Sequence, residues 1–116
     1  MKIATWNVYS IRARADRVEA WLRRSDVDVL AIQETKAKDE NFPWELFENN
    51  GYEVAHFGVN QWKGVAIASR TEPLQTRVGI GEDYFATAGR WVEADYIVRN
   101  AAGEASQLTV ASAYVH

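Results

Sequence analysis

Cysteine is absent from the 116 residues, which excludes disulfides, thiolate metal centres and cysteine nucleophiles. With no disulfide framework to suggest an oxidising compartment, the cytoplasm is the default location. No apolar run reaches the roughly 18 residues a membrane span needs, so none is expected. The opening Met1-Lys2-Ile3-Ala4-Thr5-Trp6-Asn7 lacks the apolar core and cleavage site of a signal peptide, and reads as a strand. Positive charge is not in excess either: 13 Lys and Arg against 16 Asp and Glu leave a net charge of −3. That argues against a wholly basic nucleic-acid coat protein but leaves room for a local basic groove. Two catalytic signatures are missing as well. No serine stands in a nucleophile elbow, and Gly79-Ile80-Gly81 is too short for a phosphate-cradling loop.

What is present is ordinary globular material. Apolar residues make up 47% and charged residues 25%, so disorder is not expected. The length is that of one domain. Residues 2–9 form an apolar, β-rich run, and Val27-Asp28-Val29-Leu30-Ala31-Ile32 forms a second that ends in Gln33-Glu34. Between them, Asp16 with Glu19 three residues on resembles a capping box, so a helix is expected to start there. Val18, Trp21, Leu22 and Ala15 supply its apolar stripe, with Arg14, Arg17, Arg23 and Arg24 mostly off it. Pro43 suits the first turn of a short helix from Trp44 to Asn50, closed by Gly51. Further strands are expected at 52–57, 64–69, 74–78, 90–98 and 107–115, with a polar turn at 100–105. The loop from Gly79 to Gly89, carrying Glu82 and Asp83, is expected to be exposed. The pattern is α/β: a mixed β-sheet with flanking helices, parallel pairing early and hairpins later. Two helices are few for covering both faces of such a sheet. Either one face is bare, or something outside the chain covers it.

Two polar residues interrupt the ends of apolar strands, Asn7 in the first and Glu34 after the second. Sites in α/β sheets form at the carboxyl ends of strands. If the two strands are neighbours, Asn7 and Glu34 share one crevice, and a carboxylate beside a neutral amide suits a hard cation such as Mg²⁺. The plainer alternative stays open: Glu34 ends a strand by pointing into water and Asn7 caps a turn. Arg12, Lys36, Lys63 and Arg90 could contact phosphates, and Trp62 could stack on a base or sugar. Against this, loop Lys and Arg are usually just solvated, and most of the five Trp reflect core packing. Trp21 and Trp91 fall in periodic elements and read as core, whereas Trp62, between Gln61 and Lys63, is balanced between the two readings. His56 sits inside a strand pattern and reads as structural, and His116 is unconstrained.

These residues carry a resemblance. Ile3-Ala4-Thr5-Trp6-Asn7-Val8 followed by Ser10-Ile11-Arg12-Ala13, and Asp28-Val29-Leu30-Ala31-Ile32-Gln33-Glu34-Thr35-Lys36, resemble the first two motifs of the exonuclease III-like apurinic/apyrimidinic endonucleases. These belong to the endonuclease/exonuclease/phosphatase superfamily. Gln33-Glu34 fits the whole superfamily, and Thr35-Lys36 favours its DNA-repair branch. Gly51-Tyr52, Gly64-Val65-Ala66-Ile67, Gly89-Arg90 and Ser112-Ala113-Tyr114-Val115 follow in family order, so the likeness runs the length of the chain.

The resemblance implies one half of an αββα sandwich. It implies that Glu34 is the principal Mg²⁺ ligand, with Mn²⁺ as a substitute. Asn7 would be an active-site amide that orders the metal and phosphate network. Tyr114 would contact the scissile phosphate, and Arg12, Lys36, Trp62 and Arg90 would contact DNA. The implied reaction is phosphodiester hydrolysis on duplex DNA, 5′ to an abasic site or at 3′ ends. Two positions depart from the pattern: Tyr9 where the family usually has Asn or Asp, and His116 where many members have Pro. The family's Asp-x-Asn motif, a further Asn and the closing Asp-His pair would lie beyond the tyrosine motif, and the 116 residues hold none of them. The chain therefore reads as the N-terminal part of a single incomplete domain. A bare sheet face would be open to a missing second half or to self-association. The alternatives are a DNA-binding or assembly module without catalysis, and another superfamily phosphodiesterase or phosphatase.

Overall fold

A computed structural model describes residues 1–59, 61–78 and 90–114. Among the described residues, seven strands and two α-helices run in the order β1 (Ile3–Asn7), α1 (Ala15–Ser25), β2 (Val29–Gln33), α2 (Trp44–Glu48), β3 (Glu53–Phe57), β4 (Val65–Ser69), β5 (Gln75–Val78), β6 (Trp91–Arg99) and β7 (Ala105–Ala113). One 3₁₀ turn, Asp39–Asn41, precedes α2.

The strands form two sheets. The first has the order β1-β2-β4-β3, and the second β5-β6-β7. In the first, β1 and β2 run parallel, with Asn7 opposite Gln33, and β4 is antiparallel to both β2 and β3. The second sheet is antiparallel throughout. The α/β class, the parallel start and the mixed sheet with flanking helices agree with the sequence pattern, and the later strands build a second sheet. Alternating runs such as β6 and β7 look the same whether they extend one sheet or build a second, so periodicity could not separate the cases.

The two faces of the first sheet have different covers. Outward, Leu30, Ile32, Ala66 and Ala68 pack with Val18 and Leu22 of α1 and Phe47 of α2. Trp6 and Trp21 meet edge to face there, their centroids 5.6 Å apart. Inward, Val29, Val65, Ile67 and Phe57 pack against Val92, Ala94 and Tyr96 of β6. Each Val, Leu, Ile or Phe side chain fully buried in these layers contributes about 1.5–3 kcal/mol. β7 crosses β2 and β4, and β6 crosses β4 and β3.

The expectation of a bare sheet face is thereby corrected, because the chain's own second sheet covers β2, β4 and β3. What stays open is β1. Its inward residues Ile3, Thr5 and Asn7 are exposed, Ile3 by 48%, and β1 and β7 are the edge strands on that flank. The second sheet's outer face is polar. Arg77 donates Nη1 to Asp95 Oδ2 (2.7 Å) and Nη2 to Asp95 Oδ1 (2.9 Å) and Glu93 Oε2 (2.9 Å), while Thr109 and Gln75 also donate to Asp95. These bonds, Arg77's first, hold the Asp95 carboxyl far below the usual range.

The helix also differs in detail. It begins at Ala15, with Arg14 in the cap position and no side-chain cap bond, so Asp16 lies in the first turn instead of capping it. There its charge still complements the positive end of the helix dipole. The loop 79–89, with Glu82, Asp83 and Gly89, lies outside the described residues, as do Val115 and His116. No helix among the described residues is long and apolar enough to cross a membrane.

Candidate functional site

The site lies where the parallel pair ends. Beyond the strands, Gln33, Glu34 and Thr35 still offer their carbonyls to the first segment: Val8 N–H donates to Gln33 O (3.1 Å), Ser10 N–H to Glu34 O (2.8 Å) and Ile11 N–H to Thr35 O (2.9 Å). This continuation brings two sequence-distant motifs together. Asn7 Nδ2 donates to Glu34 Oε1 at 2.9 Å, and Asn7 Oδ1 accepts from Tyr9 N–H at 3.2 Å. The Asn7 side chain thus holds the carboxylate with one end and its own loop with the other. Lys36 Nζ stands 4.0 Å from Glu34 Oε2 and 3.3 Å over the centroid of the Tyr9 ring, a cation–π contact.

The backbone of this corner is strained. Tyr9 (φ 47°), Ser10 (91°), Glu34 (53°) and Lys36 (52°) are non-glycine residues in left-handed conformations. Each costs about 1–3 kcal/mol and persists only where its surroundings over-determine it. Such strain gathers at functional sites because it aims side chains that a relaxed strand would point elsewhere.

A second group lines a cavity of about 270 Å³: Trp62, Lys63, Arg90 and Tyr114. Trp62 is 66% exposed, whereas Arg90 is only 5% exposed and its guanidinium sits 5.3 Å from the Tyr114 ring centroid. Tyr114 N–H donates to Arg90 O at 2.8 Å. Arg90 therefore holds Tyr114 from below, while Trp62 faces outward. Arg12 is exposed on the turn between β1 and α1.

Gln33 ties the two groups together. Its Nε2 donates to Ser112 Oγ (3.0 Å), Ser112 Oγ donates to Ile32 O (2.7 Å), and Thr5 Oγ1 donates to Gln33 Oε1 (3.2 Å). The residue before Glu34 is thus bonded to the residue two before Tyr114, across the two sheets. The sequence offered Gln33 only as a neighbour of Glu34, and nothing in it marked Ser112 as the acceptor. Beneath the corner, His56 bonds Thr35 Oγ1 through Nε2 at 2.8 Å, and Asp39 Oδ1 lies 2.7 Å from its Nδ1. Burial pushes this imidazole down to about 4, against the opposing pull of Asp39.

The family's sequence profile, described as the Endonuclease/Exonuclease/phosphatase family, matches residues 4–104. The chain belongs to this family. Exodeoxyribonuclease III of Haemophilus influenzae is 38% identical over 95 residues, which are 82% of this chain and 36% of that protein. DNA repair nuclease APEX1 of Danio rerio is 32% identical over 101 residues, covering 83% of this chain and 33% of its own length. An AP endonuclease from Archaeoglobus fulgidus superposes with a TM-score of 0.76 and 39% identity, over 81% of this chain and 37% of that one. The chain thus spans about a third of the length of the curated relatives it matches, in their N-terminal part. The endonuclease/exonuclease/phosphatase fold, read from the motifs as half of an αββα sandwich, agrees with these structures.

The donors at the corner fit a hard divalent cation. Glu34 and Asn7 are oxygen-bearing, and the Glu34 side chain reaches solvent. Among the described residues no cluster of three or more His, Cys, Asp or Glu exists.

Proposed function

We propose that this chain is the N-terminal part of a Mg²⁺-dependent phosphodiesterase domain that acts on DNA, nicking at abasic sites or trimming 3′ ends. The observation that carries it is the Asn7 Nδ2 to Glu34 Oε1 bond of 2.9 Å at the carboxyl ends of the parallel pair, in a family whose similar members are named as exodeoxyribonuclease III and AP endonuclease. Glu34 would hold the Mg²⁺, ordered by the neighbouring Asn7, whose Oδ1 could join it as a ligand on leaving the Tyr9 N–H, and Mn²⁺, equally suited to oxygen donors, would substitute. Bound there, the cation supplies Lewis-acid polarisation of a phosphate oxygen. Asn7 fixes one carboxylate oxygen, leaving Oε2 for the cation. Lys36 and Arg12 neutralise phosphate charge, Tyr114 donates its hydroxyl to the scissile phosphate, and Trp62 stacks on an exposed base or sugar. Arg90 contributes to DNA binding chiefly by supporting Tyr114. The duplex is the substrate, and the cytoplasm the setting.

The general base for the attacking water and the electrostatic stabiliser of the transition state come from the rest of a full-length domain. A positioned acid or base is worth about 10²–10⁴-fold and an electrostatic stabiliser about 10²–10³-fold. Without both, the chain binds but turns over almost nothing. That remainder, or a second copy, would add strands at the β1 and β7 edges. The test is incubation with an abasic-site duplex and Mg²⁺ beside Glu34→Gln. Salt-dependent binding without cleavage is expected, and robust cleavage abolished by Glu34→Gln would overturn the claim of incompetence. A second reading, a DNA-binding module that never had catalysis, is favoured by the exposed Trp62 beside Lys63. Failure of a complementing C-terminal part to restore cleavage would support it.

A further inference from the structure

We propose that His56 is a positioning residue that holds Glu34 and Lys36 in their left-handed backbone conformations through its single hydrogen bond to the Thr35 hydroxyl. The functional consequence rests on Glu34 as the cation ligand, but the geometry does not.

Glu34 and Lys36 flank Thr35, at φ 53° and 52°. Their side chains reach toward the site, so the restraint must act through the residue between them. Thr35 is fully buried and pinned on every side. Its N–H donates to Gly64 O (3.1 Å), and its carbonyl accepts from Ile11 N–H (2.9 Å). Its hydroxyl meets His56 Nε2 at 2.8 Å. A Cβ at Gly64 would collide with that hydroxyl, so the pocket admits Thr35 only because residue 64 has no side chain.

His56 is fixed in turn. Phe42 lies against its ring at 4.2 Å between centroids, and Trp44 meets it edge-on at 5.9 Å. Asp39 Oδ1 sits 2.7 Å from Nδ1, a close contact bent away from the in-line geometry of a hydrogen bond. A carboxylate oxygen at that distance would repel a nitrogen lone pair, so the proton stays on Nδ1. Nε2 then presents its lone pair, and the Thr35 hydroxyl donates to it. Asp39 is itself locked to the end of β3: its Oδ1 accepts from Gly58 N–H (3.1 Å) and its own N–H donates to Gly58 O (3.2 Å). The line Asp39, His56, Thr35 therefore runs from a surface carboxylate to the backbone that aims Glu34. It belongs to the class of outer contacts that orient a ligand without touching the cation.

The test uses the 116-residue chain and five variants: His56→Phe, which keeps an aromatic ring but removes both nitrogens; Thr35→Val, which removes the hydroxyl; the double variant of these two; Thr35→Ser, which restores the hydroxyl; and Glu34→Gln. The first readout needs no cation. The intraresidue amide-to-Hα NOE is strong at positive φ, where the two hydrogens approach each other. It should be strong at residues 34 and 36 in the native chain and in Thr35→Ser, and weak in His56→Phe and Thr35→Val. The second readout is Mg²⁺ affinity from amide shifts. It should fall about 10–100-fold in each disrupting variant, no further in the double variant, and recover in Thr35→Ser. Folded His56→Phe and Thr35→Val chains that keep both NOEs and native affinity would overturn the proposal. If His56→Phe does not fold, the Thr35→Val and Thr35→Ser pair decides by the same readouts. If the native chain and Glu34→Gln both ignore Mg²⁺, the ligand reading fails on its own, and the NOEs alone support or overturn the positioning role.

Discussion

The two flanks of the sandwich are built from similar residues and end in opposite conditions. On the flank of β3, β4 and β6, isoleucine, valine and tyrosine are sealed between sheets, with Ile67 and Tyr96 almost wholly buried. On the β1 flank, the inward Ile3 and Thr5 are exposed, although edge strands end both flanks alike, β1 and β7 here and β3 and β5 opposite. The first flank supplies stability. The second carries Asn7 and Glu34, so the chemistry proposed for them would sit beside the part of the fold that the chain itself leaves open. The corner is held from both sides: Thr35 anchors it to His56 on the sealed flank, and Gln33 ties it to Ser112 of β7 and Thr5 of β1 on the open one.

Matched substitutions on the two flanks would break this comparison most sharply. Ile67→Ala should destabilise the chain by about 2–5 kcal/mol, from lost transfer energy and a residual cavity. Ile3→Ala, the same chemical change on the open flank, should cost under about 0.5 kcal/mol. Urea midpoints at constant slope would measure both, and equal losses would mean that the open flank is covered in solution.

Acid should act on the sealed flank next. His56 is neutral in the fold, with burial holding it at about 4, but it protonates at about 6.5 once unfolded. The unfolded chain therefore binds more protons between those values. The contribution is whole above pH 6.5, shrinks as pH falls toward 4, and amounts to about 3 kcal/mol. Stability measured from pH 7 to 4 should show this loss, and His56→Phe should flatten it. A smaller effect is expected at the bridge between flanks. Ser112→Ala removes the hydroxyl that accepts from Gln33 Nε2 and donates to the Ile32 carbonyl, at about 0.5–1.5 kcal/mol per bond, and should shift the Tyr114 resonances while leaving those of Phe47 unchanged.

Much of the corner was legible in the sequence, because a polar residue at the end of an apolar run is a local signal. Asn7 and Glu34 gave it, and the parallel register brings them together. His56 was legible as structural, since it interrupts a strand pattern at a buried position. Its partner was not. Thr35 is 21 residues away, and a threonine before a lysine carries no mark of being a buried anchor. The division into two sheets was hidden for a related reason: pairing partners are chosen in space, and a period of two does not name them. Tyr9 was seen only as a departure near the metal site. The structure gives its ring a task, holding the Lys36 ammonium beside Glu34.

The most direct test is a Mg²⁺ titration of the ¹⁵N-labelled chain, followed at the amides of Asn7, Glu34 and Lys36, with Glu34→Gln in parallel. Saturable shifts confined to that corner and absent from Glu34→Gln are expected. Shifts that persist unchanged in Glu34→Gln, or a native corner indifferent to Mg²⁺, would contradict the assignment of Glu34 as the cation ligand.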